Sequence, residues 1–212
     1  MGNDARRPQN KRGSGGQLRE DIVRAAARLV EQGDGTPTLR AVAREAGITA
    51  PAIYAHFDNL DEVLQAVVLS TFQALTAHLR GSVAGLTDPV ERLRAACRGY
   101  VRFAVDRPQQ YGLLFTSPLP EPPPDPGKLL ETMEGAEAFA FLLDAIRECA
   151  IAGRSHSDDL PRDAIALWVG LHGYISLHLS RPHFPWPPAH GIVDTLIDAH
   201  AHLNNHRPSG AG

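Results

Sequence analysis

The sequence predicts an all-α protein with two helical domains. Apolar residues recur at three- and four-residue steps along most of the chain, no segment shows the sustained alternation of a half-buried strand, and residues 38–57 carry a helix-turn-helix pattern. The 212 residues are 43% hydrophobic, which is enough for compact domains with buried cores. We therefore expect an N-terminal three-helix domain that contains the helix-turn-helix and a C-terminal helical domain.

Glycine, proline and capping residues mark the helices in order. Gly33 and Gly47 end the first two, because glycine readily takes the left-handed backbone found at helix C-termini. Asp88 and Pro89 mark the N-cap and first turn of a later helix. The predicted helices cover residues 18–30, 39–46, a segment after Thr49, and residues 60–79, 89–106, 109–115, 128–152, 160–180 and 189–205.

The N-terminal residues 1–15 are predicted to be a disordered basic arm, and residues 206–212 a disordered tail. Residues 1–15 contain Gly, Ser, Pro and charge without apolar periodicity. A basic arm can follow a phosphate backbone, although a solvated tail would have the same composition. The cations of the first thirty residues are Arg6, Arg7, Lys11, Arg12, Arg19, Arg24 and Arg28.

Composition also bears on location and cofactors. No apolar run approaches the roughly 20 residues that span a bilayer, and the N-terminus lacks the apolar core of a secretory signal. Cys97 and Cys149 lie in helical patterns without metal-ligand spacing, and no Cys, Asp or Glu cluster joins His202 and His206. We expect a cytoplasmic protein with core thiols, no metal, no cofactor and no membrane partner.

Residues 38–57, TLRAVAREAGITAPAIYAHF, predict a helix that reads DNA. The second helix of this segment starts after Thr49, whose hydroxyl we expect to cap it, and Pro51 fits there because a first-turn residue needs no backbone donor. Small side chains at Ala50 and Ala52 would let the helix backbone approach base edges in the major groove and meet thymine methyl groups. The proline and alanines therefore suit a helix tip that presses into DNA.

The following residues separate by helix face. Ile53 falls on the apolar side, whereas Tyr54 and His56 offer a hydroxyl and an imidazole suited to phosphate oxygens. A partly buried tyrosine and a surface histidine would fit the same spacing. Thr38 is expected to cap the preceding helix, whose N-terminal amides can hold a phosphate together with Arg40. The predicted DNA contacts are Thr38, Arg40, Thr49, Ala50, Pro51, Ala52, Tyr54 and His56.

These residues resemble the N-terminal domain of TetR-type transcriptional regulators. The family pattern AxxAG(V/I)(S/T)xxxxYxHF is matched by Ala43, Ala46, Gly47, Ile48, Thr49, Tyr54, His56 and Phe57. The resemblance implies a DNA-binding domain over residues 16–78, with the predicted contacts at positions where the family commonly touches DNA. Many members carry a basic residue where this chain has residues 58–61, DNLD. We therefore expect a larger contribution from the basic arm, or modest affinity.

The C-terminal half resembles a TetR domain type marked by a Trp-x-x-x-His-Gly element, here Trp168, His172 and Gly173. Trp168 and His172 lie one helical turn apart on one face. Two interpretations stay open: a core or subunit-packing face, and the wall of a cavity where an indole and an imidazole meet a small molecule. The candidate effector contacts are Tyr100, Phe103, Phe115, Met133, Phe139, Trp168 and His172.

The resemblance implies that residues 79–205 bind an effector and form a homodimer through their last helices, so that two reading helices meet a pseudo-palindromic operator. We expect a repressor released from double-stranded DNA by a small apolar effector, and not an enzyme. The alternatives are an all-α enzyme with His172 as general base and an architectural DNA binder without ligand control. No catalytic triad, paired-carboxylate motif or phosphate loop in the sequence supports the enzyme.

Overall fold

The computed structural model describes residues 14–33, 35–116 and 135–204. These residues form α-helices and no strand, which confirms the all-α prediction. No helix among them is long and apolar enough to cross a membrane. The helices are α1 (Ser14–Gln32), α2 (Leu39–Glu45), α3 (Ala50–Ile53), α4 (Leu60–Ser82), α5 (Pro89–Asp106), α6 (Pro108–Thr116), α7 (Ala136–Ile151), α8 (Leu160–Ser180) and α9 (Ala189–His200).

The chain divides into two compact units between Ser70 and Thr71. The first unit contains α1, α2, α3 and the start of α4, and the second contains the rest of α4 and all later helices. The predicted basic arm lies outside the described residues, except that α1 already begins at Ser14. The predicted tail, residues 206–212, lies outside them as well.

The first unit is built on apolar faces of short helices. α1 packs on α2, and α2 packs on α3. Ile22 of α1, Val42 of α2, Ile53 of α3 and Val63 of α4 are all completely buried. Each of these residues lies on the apolar face of its own helix. The amphipathic pattern of the sequence therefore determines which side of each helix faces the core.

The core of the second unit is centred on α5, which packs against α6, α7, α8 and α9. Asp88 caps α5 as predicted, since its carboxylate accepts hydrogen bonds of 3.0 Å from the amides of Val90 and Glu91. Cys97 and Cys149 are free and buried, which confirms the core-thiol prediction. Burial raises the pKa of Cys97 to about 12 and that of Cys149 to about 11, so both stay protonated at neutral pH.

The start of α7 differs from the sequence prediction. The prediction of one continuous helix from Lys128 to Ala152 is wrong. Gly135 takes a left-handed backbone with φ +86°, and α7 begins only after it. The ring of Phe72, from α4, occupies the space that a Cβ at Gly135 would need. Glycine is therefore required there both by backbone conformation and by the close approach of α4.

The end of α9 also differs from the prediction, which extended it to Asn205. The helix ends at His200, and His202 takes a left-handed conformation with φ +46°. Leu203 then pairs as an isolated bridge with Ser155, whose hydroxyl donates a 2.6 Å hydrogen bond to the carbonyl of Ala201. These backbone contacts with the α7–α8 connection replace the last helical turn.

Candidate DNA interface and effector site

The turn after α2 is fixed by two backbone hydrogen bonds. The amide of Ile48 donates to the carbonyl of Ala43 at 2.9 Å, and the amide of Gly47 donates to that of Arg44 at 3.2 Å. This pair of bonds defines a Schellman motif, with Gly47 in the required left-handed conformation at φ +69°. Gly47 therefore sets the direction in which the chain leaves α2 towards α3.

The two threonines predicted as caps behave differently. Thr38 caps α2, since its Oγ1 accepts a 3.2 Å hydrogen bond from the amide of Ala41. Thr49 occupies the N-cap position of α3 but its side chain makes no capping bond, so that part of the prediction is wrong. Pro51 has no N–H to donate, and the amide of Ala52 donates to the Thr49 carbonyl at 2.9 Å. The exposed Thr49 hydroxyl is thus not used by the helix.

α3 has one buried and one open side. Ile53 is fully buried and Phe57 is 2% exposed, whereas Tyr54 is 58% exposed. The guanidinium of Arg19 lies 4.7 Å from the centre of the Phe57 ring, a cation–π distance. Ile53 and Phe57 are therefore buried and Tyr54 is exposed, as predicted from their helix faces, while the DNA contact assigned to Tyr54 stays a prediction.

The other predicted DNA contacts lie in the same unit. Arg40 and Arg44 are exposed on α2, and no ion pair within the described part of the chain includes either. Arg28 of α1 instead pairs with Glu45, at 2.7 Å. Thr38, Thr49 and Pro51 are exposed, and Ala50, Ala52 and His56 are half-buried.

The run DNLD that follows α3 caps α4. The amide of Glu62 donates to Oδ1 of Asn59, and the amide of Asp58 donates to Oε2 of Glu62, both at 2.9 Å. This reciprocal arrangement resembles a capping box, and the carboxylates of Asp61 and Glu62 lie at the positive end of the helix dipole. The acidic residues therefore stabilise the start of α4.

In the second unit, hydrogen bonds join side chains of α5, α6 and α8. Trp168 Nε1 donates to the Tyr100 hydroxyl at 3.3 Å. The hydroxyls of Tyr100 and Tyr111 lie 2.9 Å apart, and the Tyr111 hydroxyl lies 2.7 Å from Nδ1 of His172. We call these four residues the hydrogen-bond relay. Tyr111 was not among the residues predicted from the sequence, although it precedes Phe115 by one helical turn.

Aromatic rings surround this relay. The Phe115 and His172 ring centres are 4.3 Å apart, Phe115 and Trp168 are separated by 6.3 Å, and Phe139 meets Trp168 edge-on at 6.4 Å. We call Tyr100, Tyr111, Phe115, Phe139, Trp168 and His172 the aromatic cluster.

One predicted effector contact lies elsewhere, and a second is not among the described residues. Phe103 is fully buried, and its ring lies 5.8 Å from that of His78 and 4.8 Å from the Arg107 guanidinium, rather than against a ring of the aromatic cluster. Met133 lies outside the described residues. The structure thus brings together five of the seven predicted contacts and adds Tyr111.

The aromatic cluster is polar but uncharged at neutral pH. Burial raises the pKa of Tyr100 and of Tyr111, and it lowers the pKa of His172. His172 hydrogen-bonds to hydroxyls and, among the described residues, to no carboxylate that would orient it as a general base. The described residues also contain no group of three His, Cys, Asp or Glu side chains arranged to hold a metal ion.

The last two helices expose an apolar surface. Ile165, Val169 and Leu177 follow one face of α8 at multiples of four residues, and they are 38%, 56% and 56% exposed. A groove of about 380 Å³ lies at the start of α9. It is lined by Pro187, Pro188, His190, Gly191, Ile192, Thr195 and Leu196.

Comparison with known proteins places both units in one family. Residues 22–67 match the model described as bacterial regulatory proteins, tetR family, and residues 93–200 match that of the tetracyclin repressor-like C-terminal domain. The regulator HbdR of Aromatoleum sp. strain CIB is 35% identical over 85 residues, which are 40% of this chain and 37% of HbdR. The transcriptional activator FasR of Mycolicibacterium smegmatis is 28% identical over 126 residues, 54% of this chain and 58% of FasR.

The matched segments therefore span roughly two fifths to three fifths of these curated relatives. Among solved structures, RolR in complex with resorcinol has a TM-score of 0.63 and 18% identity, with 91% of this chain and 89% of RolR covered. That likeness shows a shared fold. The C-terminal match alone spans more than half of the 212 residues. The chain belongs to the TetR family of bacterial regulatory proteins.

Proposed function

We propose that this chain is a sequence-specific DNA-binding repressor that a small effector releases from a pseudo-palindromic operator. The observation that carries the proposal is the α2–α3 turn, where Ile53 and Phe57 anchor α3 and the opposite side, with Tyr54, stays open. An open polar side on a rigidly anchored helix is what contact with base edges and phosphates requires. Such a regulator would act in the cytoplasm, where bacterial DNA lies.

We assign the contacts by chemistry. Ala50, Pro51 and Ala52 form the tip of α3 and meet base edges, because small side chains permit close approach in the major groove. The phosphate contacts are the hydroxyls of Thr38, Thr49 and Tyr54, the imidazole of His56 and the guanidinium of Arg40. The free Thr49 hydroxyl supports this assignment, since no capping bond competes for it.

A second copy of the chain is the proposed partner of α8 and α9. The exposed Ile165, Val169 and Leu177 give α8 an apolar stripe, and the groove at the start of α9 adds to it. Two such helix pairs related by a twofold axis would form a four-helix interface, as the TetR resemblance implies. The dimer would present two reading helices to an inverted repeat.

The effector is proposed to bind at the aromatic cluster and to act through α7. Phe139 links Trp168 to α7. The start of α7 touches α4 at the Gly135–Phe72 contact and at the Arg80–Glu137 ion pair, 2.5 Å long. A ligand that moves α7 would shift this part of α4 and alter the spacing of the two reading helices. RolR binds resorcinol within the same fold.

Effector and operator must then oppose each other by linkage. The effector shifts the population only if it binds the DNA-free form more tightly. Equal effector affinity for free and DNA-bound protein would contradict this mechanism. Because the relative FasR is named an activator, the direction of regulation needs its own measurement, in which the purified protein is added to transcription from a promoter that carries the operator.

The decisive test of DNA recognition is selection of bound duplexes from a random pool by the purified full chain at about physiological salt. We expect an inverted repeat with half-sites about one helical turn apart, or a multiple of it. Recovery of a single half-site would contradict the dimer, and recovery of no motif would contradict sequence-specific binding. Turnover of a small molecule that His172→Ala abolishes while DNA binding survives would favour the enzyme instead.

A further inference from the structure

The hydrogen-bond relay has only one direction that satisfies its buried hydroxyls. The Trp168 indole can only donate, so the Tyr100 oxygen accepts from it. The Tyr100 hydrogen then goes to the Tyr111 oxygen, and the Tyr111 hydrogen goes to Nδ1 of His172. In this arrangement the indole N–H of Trp168 and the hydroxyl hydrogens of Tyr100 and Tyr111 all have an acceptor.

This direction fixes the tautomer of His172. Since Nδ1 accepts a hydrogen bond, the neutral ring carries its proton on Nε2. Nε2 lies 3.4 Å from Oγ of Ser176, which is exposed. The relay thus ends in a single N–H donor on the side of a solvent-exposed hydroxyl.

The opposite direction leaves a buried donor without an acceptor. A proton on Nδ1, whether in the other tautomer or in imidazolium, would have to be donated to the Tyr111 oxygen. Tyr111 would then donate back to Tyr100. The hydroxyl hydrogen of Tyr100, a residue that is only 9% exposed, would be left without an acceptor among the described residues. Burial of His172, which lowers its pKa, disfavours the imidazolium as well.

The aromatic rings around His172 suit a flat ligand. Phe115 is 38% exposed, and its ring and the half-buried Trp168 ring both lie against His172. No ion pair among the described residues includes a member of the aromatic cluster. The cation–π contacts among the described residues involve Phe57 and Phe103 rather than a ring of the cluster, so a ligand there finds aromatic faces and one hydrogen-bond donor but no described cation in contact with these rings to balance an anionic group.

We infer that the aromatic cluster selects planar aromatic ligands that bear a neutral hydrogen-bond acceptor, such as a ring-attached carbonyl, and rejects the corresponding carboxylates. This selectivity rests on the proposed effector role of the cluster. The acceptor oxygen accepts a hydrogen bond from Nε2–H of His172, while Phe115 and Trp168 cover the ligand ring. A bound carboxylate would favour the imidazolium form of His172. Nδ1 would then have to donate to the Tyr111 oxygen, which reverses the relay and leaves the Tyr100 hydroxyl without an acceptor among the described residues.

Three matched probes test the selectivity: acetophenone, benzoate and ethylbenzene share a phenyl ring and differ in the acceptor and its charge. Each is titrated into the full chain at neutral pH and followed by NMR through the Trp168 indole N–H. The chain has two tryptophans, so Trp168→Phe identifies the signal. We expect acetophenone to bind about tenfold more tightly than either other probe. Ethylbenzene offers no acceptor to Nε2–H of His172, and the carboxylate of benzoate is left without a cation.

Ring nitrogen signals of His172 give an independent readout, and we expect a neutral ring protonated on Nε2. Tyr111→Phe keeps the aromatic ring but removes the donor to Nδ1, so the preference for acetophenone over benzoate should fall to about twofold or less. Tyr174→Phe is the matched control, because it removes the hydroxyl of another buried tyrosine in the same unit, outside the aromatic cluster. The control should keep the preference.

Benzoate binding as tightly as acetophenone, an Nδ1-protonated His172, or an unchanged preference in Tyr111→Phe would overturn the inference. Absence of any Trp168 shift with millimolar acetophenone would overturn it as well. These measurements require no DNA, and duplex selection requires no ligand. Failure of the ligand selectivity can therefore be told apart from failure of the DNA-binding proposal.

Discussion

Polar side chains in the α2–α3 turn are exposed, whereas the tyrosines of the aromatic cluster are buried and hydrogen-bonded to each other. In the turn, the Tyr54 side chain is 58% exposed and the Thr49 hydroxyl has no capping partner. In the aromatic cluster, Tyr100 and Tyr111 are buried and bonded to each other, and Tyr111 is bonded to His172. A DNA-contacting surface needs polar groups whose water can be exchanged for phosphate oxygens, whereas a selective ligand site benefits from polar groups already oriented by one another.

The largest expected effect separates anchor from contact within the turn. Phe57→Ala should cost about 3–5 kcal/mol of stability, since it removes a buried ring. Tyr54→Ala should change the free energy of unfolding by no more than about 0.5 kcal/mol, because Tyr54 is exposed. Urea denaturation measures both, and fluorescence anisotropy with the selected operator should show weaker binding for Tyr54→Ala. Equal destabilisation by the two variants would make Tyr54 a core residue.

The next effect concerns the contact between α4 and α7 in the second unit. Gly135 and Gly153 both have left-handed backbones, at φ +86° and +67°, but only Gly135 has a side chain, that of Phe72, in the space of an added Cβ. Alanine at either position should cost about 1–3 kcal/mol for the backbone conformation. Gly135→Ala should lose more, because the Phe72 ring must also move.

Thermal unfolding of the two glycine variants measures this difference, and Gly153→Ala serves as the control for backbone strain alone. If the unfolding temperature falls equally in both variants, the Phe72 ring moves aside without a further loss of stability. If the Gly135 contact transmits the effector response, Gly135→Ala should also reduce the change in operator affinity that an effector causes, while binding without effector is retained.

A smaller effect distinguishes base contacts from phosphate contacts. Tyr54→Phe removes one hydroxyl and should weaken DNA binding by about 1 kcal/mol, to a similar degree for different sequences. Ala52→Leu should weaken binding by about 1–3 kcal/mol and change the preferred base, because a larger side chain meets the base edges. Duplex selection with each variant is the measurement. The assignment fails if Tyr54→Phe alters sequence preference and Ala52→Leu does not.

The sequence predicted the turn better than the aromatic cluster for a physical reason. Helix spacing, Gly47 and the Thr38 cap are local features, and all are found in the structure. The Thr49 cap failed because Pro51 has no amide to offer and the amide of Ala52 donates to the Thr49 carbonyl, so neither amide that a capping hydroxyl would use is left for it.

The aromatic cluster depends instead on contacts between distant segments. Trp168 and His172 were predicted from the resemblance of their Trp-x-x-x-His-Gly element to a TetR domain type, but Tyr111 is identified only by its 2.7 Å hydrogen bond to His172, 61 positions along the chain. Phe103 was chosen as an aromatic residue at helical spacing, and the structure places its ring against His78. Periodicity indicates which side of a helix is buried but not which buried neighbour each side chain meets.

The smallest expected effect is a pH dependence of stability that comes from the aromatic cluster. Burial lowers the pKa of His172 in the folded chain below its unfolded value of about 6.5. The contribution of His172 to the free energy of unfolding is therefore constant above about pH 6.5. Below that pH the free energy of unfolding falls, because the unfolded chain binds a proton at His172 that the folded chain does not. Thermal midpoints of wild type and His172→Gln between about pH 5 and pH 8 measure this contribution. The wild type should lose more stability than the variant on acidification, and parallel curves would mean that the relay does not hold His172 in its neutral form.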